Sequence, residues 1–398
     1  MIEIGTTERT HLPELPLTRQ CPYHPPPEYE ELRVHGPLTE VRVHDGRRVW
    51  AVTHFETSRA LLAEPRLSVD RDHPEFPVLV PTLAMAGRRG APVARALLRT
   101  DPPDHTRQRR DVMPSLSLKR VAALRPEIQD VADKRLAALR DGPPRAELVG
   151  EFIKPLVSAA ITAYLGVPPD ERDHLASLAY RRLDPVRGVS GYLDTLLDRP
   201  EPPVSGLLGD LVPRVHSGTL QRTELVDYVM SILIAGHDIT TSTIALGLLT
   251  LLAHNDQLEA LRSAPENWPD AVEELLRFLS LTGGLVRVAT EDIEVPGTEL
   301  TIRAGDGVVL LTPAANRDPD RFARPNVLDL RRSARGHLTF GFGVHQCVGQ
   351  HLARLEVGVA LRTLVQGLPA TLALAEPVDR TPVRQGLVFS VSALSVTW

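Results

Sequence analysis

Residues 340–349 read Phe-Gly-Phe-Gly-Val-His-Gln-Cys-Val-Gly and stand directly before an amphipathic stretch, residues 350–365. Three glycines within nine residues give this segment backbone freedom. Most intracellular cysteines are plain buried thiols, but a cysteine at a helix N-terminus has its thiolate favoured by the helix dipole and by free N–H groups. No CxxC pair or HExxH motif is present to form a zinc site. A single thiolate, with the other metal ligands supplied from elsewhere, fits haem iron.

The composition is that of an ordinary globular chain. It has 398 residues, 42% hydrophobic and 24% charged, which is enough to bury a large core. A net charge of -5 gives no overall attraction to nucleic acid or to an anionic membrane. The first 27 residues lack a basic region followed by an apolar one, so we expect no signal peptide or membrane anchor and a cytoplasmic location. Cys21 and Cys347 lie too far apart in the sequence to suggest a disulfide framework.

Periodicity predicts a mainly α fold with small β-sheets. Neither an internal repeat nor a low-complexity linker divides the chain, so we expect one domain over residues 1–398. Alternating apolar residues around Asp45-Gly46 predict a hairpin, because this dipeptide accepts the positive φ of a tight turn. A second strand-rich region covers residues 286–296 and 304–313. Helical periodicity predicts helices over residues 118–140, 148–165, 223–255, 268–281 and 349–368.

The predicted central helix contains an unusual stretch, Ala-Gly-His-Asp-Ile-Thr-Thr, at residues 235–241. The helix is long enough to span a membrane. Asp227, His237 and Asp238 would be costly in hydrocarbon, which favours the core of a soluble protein. Gly236 costs about 1 kcal/mol relative to alanine inside a helix. Two explanations are open at this point: close packing of another helix at Gly236 with Asp238 capping a neighbour, or a flat group lying against the glycine.

The cysteine segment resembles the haem-ligand loop of the cytochrome P-450 family of haem-thiolate monooxygenases. Glu274 and Arg277 resemble the family's ExxR pair, with Arg332 as its third member and Arg331 as the alternative. The resemblance implies that these residues form a structural lock behind the haem.

Three further segments agree with this family in order and spacing. Residues 101–110 resemble the segment that points at the haem propionates, residues 315–322 resemble the meander, and residues 235–241 resemble the oxygen-binding groove of the central helix. The resemblance therefore implies the P-450 fold, with haem between the central helix and the C-terminal cysteine loop.

The resemblance implies haem b as the cofactor and Cys347 as the ligand of its metal. Four residues match the partners of the propionates, since buried carboxylates need paired donors: His105, Arg109, Arg287 and His345. Ala235 and Gly236 are expected to leave room for the porphyrin and for O2. The complete set of implied cofactor-binding residues is His105, Arg109, Ala235, Gly236, Arg287, Phe340, Gly341, His345, Cys347 and Gly349.

The implied reaction uses O2 and two electrons to hydroxylate or epoxidise a substrate. Asp238 is placed to relay protons from water, because two protons must arrive before the O–O bond breaks. The chain departs from the family at Ile239, which replaces the usual threonine. Thr240 is not a simple substitute, since each helical residue turns the side chain by about 100°. Thr240 stays a catalytic candidate with Asp238 and Ile239, because Asp238 and Thr240 could suffice through a chain of water. This departure leaves open an enzyme of oxidative coupling, cyclisation, rearrangement or nitration, and a haem protein that only binds a ligand is a further alternative.

The expected substrate is a medium-sized, largely apolar natural product of secondary metabolism, because the predicted pocket is mostly aliphatic. The residues predicted to contact it are Val80, Leu83, Met85, Leu233, Leu285, Val286 and Val388. Four arginines could bind a substrate carboxylate, although a solvent-facing role is favoured: Arg88, Arg89, Arg95 and Arg99.

The resemblance also implies separate electron donors. We expect a ferredoxin, reduced by an NAD(P)H ferredoxin reductase, to dock near Arg109, Arg110 and Arg354. We further expect a monomer with no nucleic-acid or membrane partner.

Overall fold

The computed structural model describes residues 12–80, 95–179, 185–201 and 205–398. Within these ranges helices are the main type of secondary structure. The α-helices are α1 Glu28–Val34, α2 Phe55–Leu62, α3 Asp104–Val112, α4 Leu118–Ala123, α5 Arg125–Asp141, α6 Lys154–Leu165, α7 Arg172–Ala179, α8 Pro185–Leu197, α9 Gly206–His216, α10 Arg222–Ala253, α11 Asn255–Ser263, α12 Trp268–Leu279, α13 Thr312–Ala315 and α14 Gln350–Gly367.

The strands form small sheets. They are β1 Leu38–Arg42, β2 Arg48–Val52, β3 Leu67–Ser68, β4 Arg145–Glu147, β5 Leu285–Ala289, β6 Ile293–Glu294, β7 Thr301–Ile302, β8 Gly307–Leu310, β9 Ala373–Leu374, β10 Val383–Arg384, β11 Ser390–Val391 and β12 Ser395–Thr397. The largest sheet has the order β1-β2-β8-β5-β3, with only β2 and β8 parallel. The prediction of a mainly α fold with small sheets is confirmed.

The predicted hairpin is present as β1 and β2. Leu38 pairs with Val52 and Arg42 with Arg48, and Gly46 in the turn has a φ of +84°. This left-handed conformation is the one that glycine adopts without strain. The hairpin is confirmed together with the second strand-rich region, which forms β5 to β8.

The predicted helices agree with the structure except for one. Residues 118–140 divide into α4 and α5, which meet at Leu124. Pro126 stands in the first turn of α5 and has no N–H to continue the hydrogen bonds of α4. The single helix predicted here is therefore wrong, and the proline that ends it is visible in the sequence.

Helix α10 lies at the centre of the main core and positions the candidate site. A capping box between Gln221 and Glu224 begins it, and it packs against α6 and α14. By length and composition it could cross a membrane, but 67% of its most apolar window is buried by the rest of the protein. The burial supports the interpretation of α10 as a core helix.

Candidate active site

Cys347 lies in a tight loop before α14. Its backbone N–H donates to the carbonyl of Phe340 at 2.8 Å, which closes the loop. Gly343 has a φ of +74°, and a Cβ at this position would lie 2.7 Å from the carbonyl oxygen of Leu62 at the end of α2. Only glycine therefore permits α2 to approach the loop this closely.

The Cys347 side chain is exposed, although protein surrounds it. Burial raises the pKa of the thiol, against the opposing effects of the Gly349 N–H and of the charges on Arg109 and Arg354. The expectation that the helix end favours a free thiolate is thus outweighed by desolvation, and the thiol would lose its proton on binding a metal.

An exposed surface lies on α10. Ala235, Asp238 and Ile239 are exposed, and their i, i+3, i+4 spacing places them on one face of the helix. Ile239 is 36% exposed, whereas Thr240 is 6% exposed. The two side chains point in different directions, so the hydroxyl of Thr240 does not lie on the face that carries Asp238.

Gly236 is explained by contact with another helix. A Cβ at this position would lie 3.0 Å from Cδ1 of Ile161 on α6. This contact favours close helix packing, the first of the two explanations, and the expected room for the porphyrin at Gly236 stays a prediction. Ala235, one position earlier, keeps its place on the exposed face.

Asp238 has cationic and imidazole neighbours. Its Oδ1 lies 3.2 Å from Nδ1 of His237. That hydrogen bond lowers the pKa of Asp238 against the effect of burial, and the charges of Arg384 and Lys154 lower it further. The carboxylate is therefore ionised at neutral pH.

Nitrogen donors from separate elements converge beside the cysteine loop. His105 of α3 is 1% exposed, its ring centroid lies 4.0 Å from that of His345, and its Nδ1 has no hydrogen-bond partner among the described residues. Burial lowers the pKa of His105 to about 4, and the charges of His345, Arg109 and Arg287 act in the same direction. His105 is therefore neutral near pH 7.

The two arginines of this cluster lack carboxylate partners within 4.0 Å in the part of the chain that the structure describes. Arg287 of β5 is 7% exposed and donates to the carbonyl of Val286 at 2.8 Å. Burial lowers the pKa of Arg287 to about 10. Arg109 donates to the carbonyl of Gln346 at 2.7 Å. Buried guanidinium groups without a carboxylate partner are suited to an anionic ligand.

The ExxR residues form a buried ion pair behind the loop. Arg277 donates to Glu274 through Nε at 2.7 Å and Nη2 at 2.8 Å, and neither side chain is exposed. Nε of Arg332 lies 3.2 Å from the same carboxylate, whereas Arg331 is exposed. Arg332, rather than Arg331, is therefore the third member.

Asn316, which sequence reasoning did not single out, connects this helix to the cysteine loop. Its Nδ2 donates to the hydroxyls of Ser280 at 2.7 Å and Thr339 at 3.0 Å, and its Oδ1 accepts from the Leu338 N–H at 2.7 Å. Its only sequence signal is its place within the meander, residues 315–322.

Glu273 was also missed. Arg354 of α14 donates to both of its oxygens, at 2.5 and 3.1 Å, and Nε2 of His337 lies 3.3 Å away. Burial would raise the pKa of Glu273, but His337 and Arg354 outweigh it and lower the pKa to about 2. Because Arg354 is engaged in this pair, its charge is compensated within the chain.

The residues predicted to contact substrate do not form one cluster. Leu233 is 1% exposed and belongs to the main core. Leu285 packs with Trp50, whereas Val286 and Val80 pack in a different cluster. Adjacent residues of a strand point to opposite faces, so Leu285 and Val286 cannot line the same wall.

Val388 lies opposite Thr282, with which it forms an antiparallel bridge. Leu83 and Met85 lie outside the described residues, as do Arg88 and Arg89. Arg95 contacts Asp72, and Arg99 is partly buried.

Comparisons of family model, sequence and structure find similarity to the same kind of protein. Residues 269–391 match the family model of cytochrome P-450. The chain is 47% identical to pentalenic acid synthase from Streptomyces avermitilis, over the full length of both, and 41% identical to vitamin D3 dihydroxylase from Streptomyces griseolus, also over the full length of both. The crystal structure of mycinamicin VIII C21 methyl hydroxylase from Micromonospora griseorubida, bound to mycinamicin VIII, superposes with a TM-score of 0.87 at 37% identity and covers 97% of this chain and 100% of that one.

Proposed function

The chain belongs to the cytochrome P-450 family and is a monooxygenase, and from this we propose that it hydroxylates or epoxidises a medium-sized, largely apolar natural product in secondary metabolism. The observation that carries the proposal is the exposed Cys347 beside His105, whose buried Nδ1 has no partner among the described residues, and beside Arg109 and Arg287, which have no carboxylate within 4.0 Å there. The relatives support an organic substrate, since one is named for pentalenic acid and another is bound to mycinamicin VIII.

The residues present fit the haem-thiolate group of this family, and we propose haem b. When bound, this group supplies the activation of O2. Cys347 would hold its metal through the sulfur. The unpartnered Nδ1 of His105, the guanidinium groups of Arg109 and Arg287, and His345 would hold its carboxylates.

Asp238 is proposed to move protons at its carboxylate oxygens. It is ionised at neutral pH and is 68% exposed on the surface of α10, so it can accept a proton from water and release it towards the site. Ala235 and Ile239 place apolar groups on the same face beside the carboxylate. Thr240 is turned away and is not proposed to take part.

Ile239 favours a second candidate function. No hydroxyl stands beside Asp238 among the exposed residues of this part of α10, which are Ile234, Ala235, Asp238 and Ile239. A substrate with its own polar group near the reacting carbon could take the place of the missing hydroxyl. Alternatively, the enzyme catalyses coupling, cyclisation, rearrangement or nitration without simple oxygen insertion.

We propose a ferredoxin and its NAD(P)H reductase as electron donors, and a cytoplasmic monomer. The docking surface is centred on Arg110, because Arg354 is paired with Glu273 and Arg109 is assigned to a carboxylate of the haem. Exposed Met113, Leu118 and Val344 would give this surface an apolar component. Hydrophobic contacts with a surrounding polar rim are typical of transient protein interfaces.

The test of the proposed function is the reduced, CO-treated protein. We expect the red-shifted Soret band of thiolate ligation, its loss in Cys347→Ser, and its retention in Cys21→Ser, the matched control for the second thiol. Oxygen incorporation is then measured with a surrogate ferredoxin and reductase. A band at the position of histidine ligation in fresh protein, or equal effects of both substitutions, contradicts the assignment.

A further inference from the structure

Arg19 joins the N-terminal segment to the end of α12. The residue is 6% exposed, and its guanidinium donates to the carbonyls of Leu279, at 2.9 Å, and Ser280. A cation at a helix C-terminus is stabilised by the helix dipole. Burial lowers the pKa of Arg19 to about 10, so it stays charged at neutral pH. The two carbonyls at the end of α12 thus explain why an arginine is buried at position 19.

Gln385 binds the backbone of the same arginine. The Arg19 N–H donates to Oε1 of Gln385 at 3.0 Å, and Nε2 of Gln385 donates to the Arg19 carbonyl at 2.9 Å. Gln385 directly follows β10, so these two bonds attach the C-terminal hairpin, residues 383–391, to Arg19. One residue therefore links the hairpin to α12.

The turn after α12, residues 280–284, also contacts the hairpin directly. The contacts are Gly283 N–H to the Leu387 carbonyl at 2.6 Å, Phe389 N–H to the Leu281 carbonyl at 2.9 Å, and the bridge between Thr282 and Val388. The Tyr29 hydroxyl donates to the carbonyl of Gly283 at 3.2 Å from the outer side. The turn is held from both sides.

The turn and the hairpin border the candidate active site. Strand β11 packs against α10, and the charge of Arg384 in the hairpin contributes to the lowered pKa of Asp238. The turn continues into β5, where Cδ1 of Leu285 lies 3.4 Å from the position of a Cβ on Gly341 in the cysteine loop. The two segments thus extend from the face of α10 to the cysteine loop.

We propose that Arg19 and Gln385 are positioning residues that determine the size of substrate the enzyme accepts. By fixing the hairpin relative to the α12–β5 turn, they set the width of the substrate space, and a bulky ligand must separate the two segments to enter. This inference rests on the proposed function, because it assumes that the space beside Asp238 receives the substrate.

The test substitutes Gln385 with alanine in the haem-loaded protein. The side chain of Gln385 is exposed, so Gln385→Ala removes both bonds and leaves the Arg19 backbone open to water. The probes are imidazole, which is small, and clotrimazole, which is bulky; both bind haem iron through nitrogen and shift the Soret band. Clotrimazole should bind about fivefold more tightly, on the scale of one lost hydrogen bond, and imidazole with unchanged affinity. Arg380→Ala, an exposed change that removes only a long contact to Glu376, is the matched control.

Hydrogen exchange provides a readout that does not depend on haem. The Gly283 and Phe389 amides should exchange faster in Gln385→Ala than in the wild type and in Arg380→Ala. Unchanged exchange overturns the proposal, as does an equal change in affinity for both azoles or the same change in Arg380→Ala. A wild-type protein without the thiolate CO band refutes the proposed function instead, and the exchange measurement still decides whether the pair fixes the hairpin.

Discussion

Nδ1 of His237 lies 3.2 Å from Oδ1 of Asp238, and the two side chains differ sharply in exposure, at 6% and 68%. The imidazole is buried while the carboxylate extends to the exposed surface of α10. Because the hydrogen bond from His237 is the largest cause of the lowered pKa of Asp238, the histidine keeps the acid ionised. The pair therefore joins a fixed group to one that can exchange protons with water.

The first prediction concerns this pair. Asp238→Asn should lower the rate of O2-dependent product formation by about 100-fold, the ordinary contribution of a positioned proton donor, while the CO band is retained. In His237→Phe the pKa of Asp238 rises, so the decline of the rate on the acidic side should begin at a higher pH. Product formation is measured from about pH 3 to about pH 8, because the pKa of Asp238 lies below its ordinary value of 3.8. Asp227→Asn, on the same helix, is the control and should leave both quantities unchanged.

The second prediction concerns Gly236 and Ile161. Alanine at Gly236 should gain about 1 kcal/mol of helix propensity but press its Cβ against Cδ1 of Ile161, 3.0 Å away. The double variant Gly236→Ala with Ile161→Val should be more stable to denaturant than Gly236→Ala alone. The CO band and the azole affinities should match those of the wild type in both variants. A lost haem spectrum in the double variant would instead indicate that Gly236 faces the cofactor.

The cysteine loop and Gly236 show which features the sequence predicts and which it does not. The cysteine loop, the ExxR pair and the first hairpin were predictable because a short pattern contains most of what determines each one. Gly236 left two explanations open, because the residue that approaches it, Ile161, belongs to a different helix, and the sequence does not say which helices touch. The same holds for Asn316, Glu273 and Arg19, whose partners are distant in the chain. The division of the predicted helix 118–140 at Leu124 is different, because Pro126 in the sequence already indicates it.

The third prediction tests the buried ion pair of α12. Arg277→Ala leaves Glu274 buried with only the more distant Arg332 as an ionic partner. Removing one member of a buried pair costs about 3 to 5 kcal/mol, so the variant should yield little folded haem protein. Haem content and denaturant unfolding are measured against Arg331→Ala, an exposed neighbour of Arg332. Wild-type haem content in Arg277→Ala would contradict a structural role.

The fourth prediction is a pH dependence from Glu356 on α14. Glu356 is 1% exposed, its Oε1 has no partner among the described residues, and burial raises its pKa well above the ordinary value of 4.5. Above pH 4.5 the unfolded chain releases this proton while the folded protein retains it, so stability declines as pH rises until the folded pKa is reached. Glu356→Gln carries no such proton and should lose this decline. Denaturant unfolding is measured at pH 5 and at about pH 8. Relative to that of the wild type, the free energy of unfolding of the variant should be greater at the higher pH. A constant difference between the two proteins would contradict the buried, protonated acid.

The fifth prediction concerns Ile239, which occupies the position between Asp238 and the buried Thr240. Its side chain shares the exposed face with Ala235 and Asp238, so Ile239→Thr places a hydroxyl where the face now has none. If water beside Asp238 lacks a hydrogen-bond partner in the wild type, apolar substrates without a polar group should be oxidised with most electrons lost as hydrogen peroxide. Ile239→Thr should then raise the ratio of product to NAD(P)H consumed for those substrates and change it little for the natural one. Ile239→Val, which has the shape of threonine without the hydroxyl, should leave the ratio unchanged. Equal ratios in all three proteins would show that Ile239 serves only as an apolar wall. Asp238 and water alone would then supply the protons.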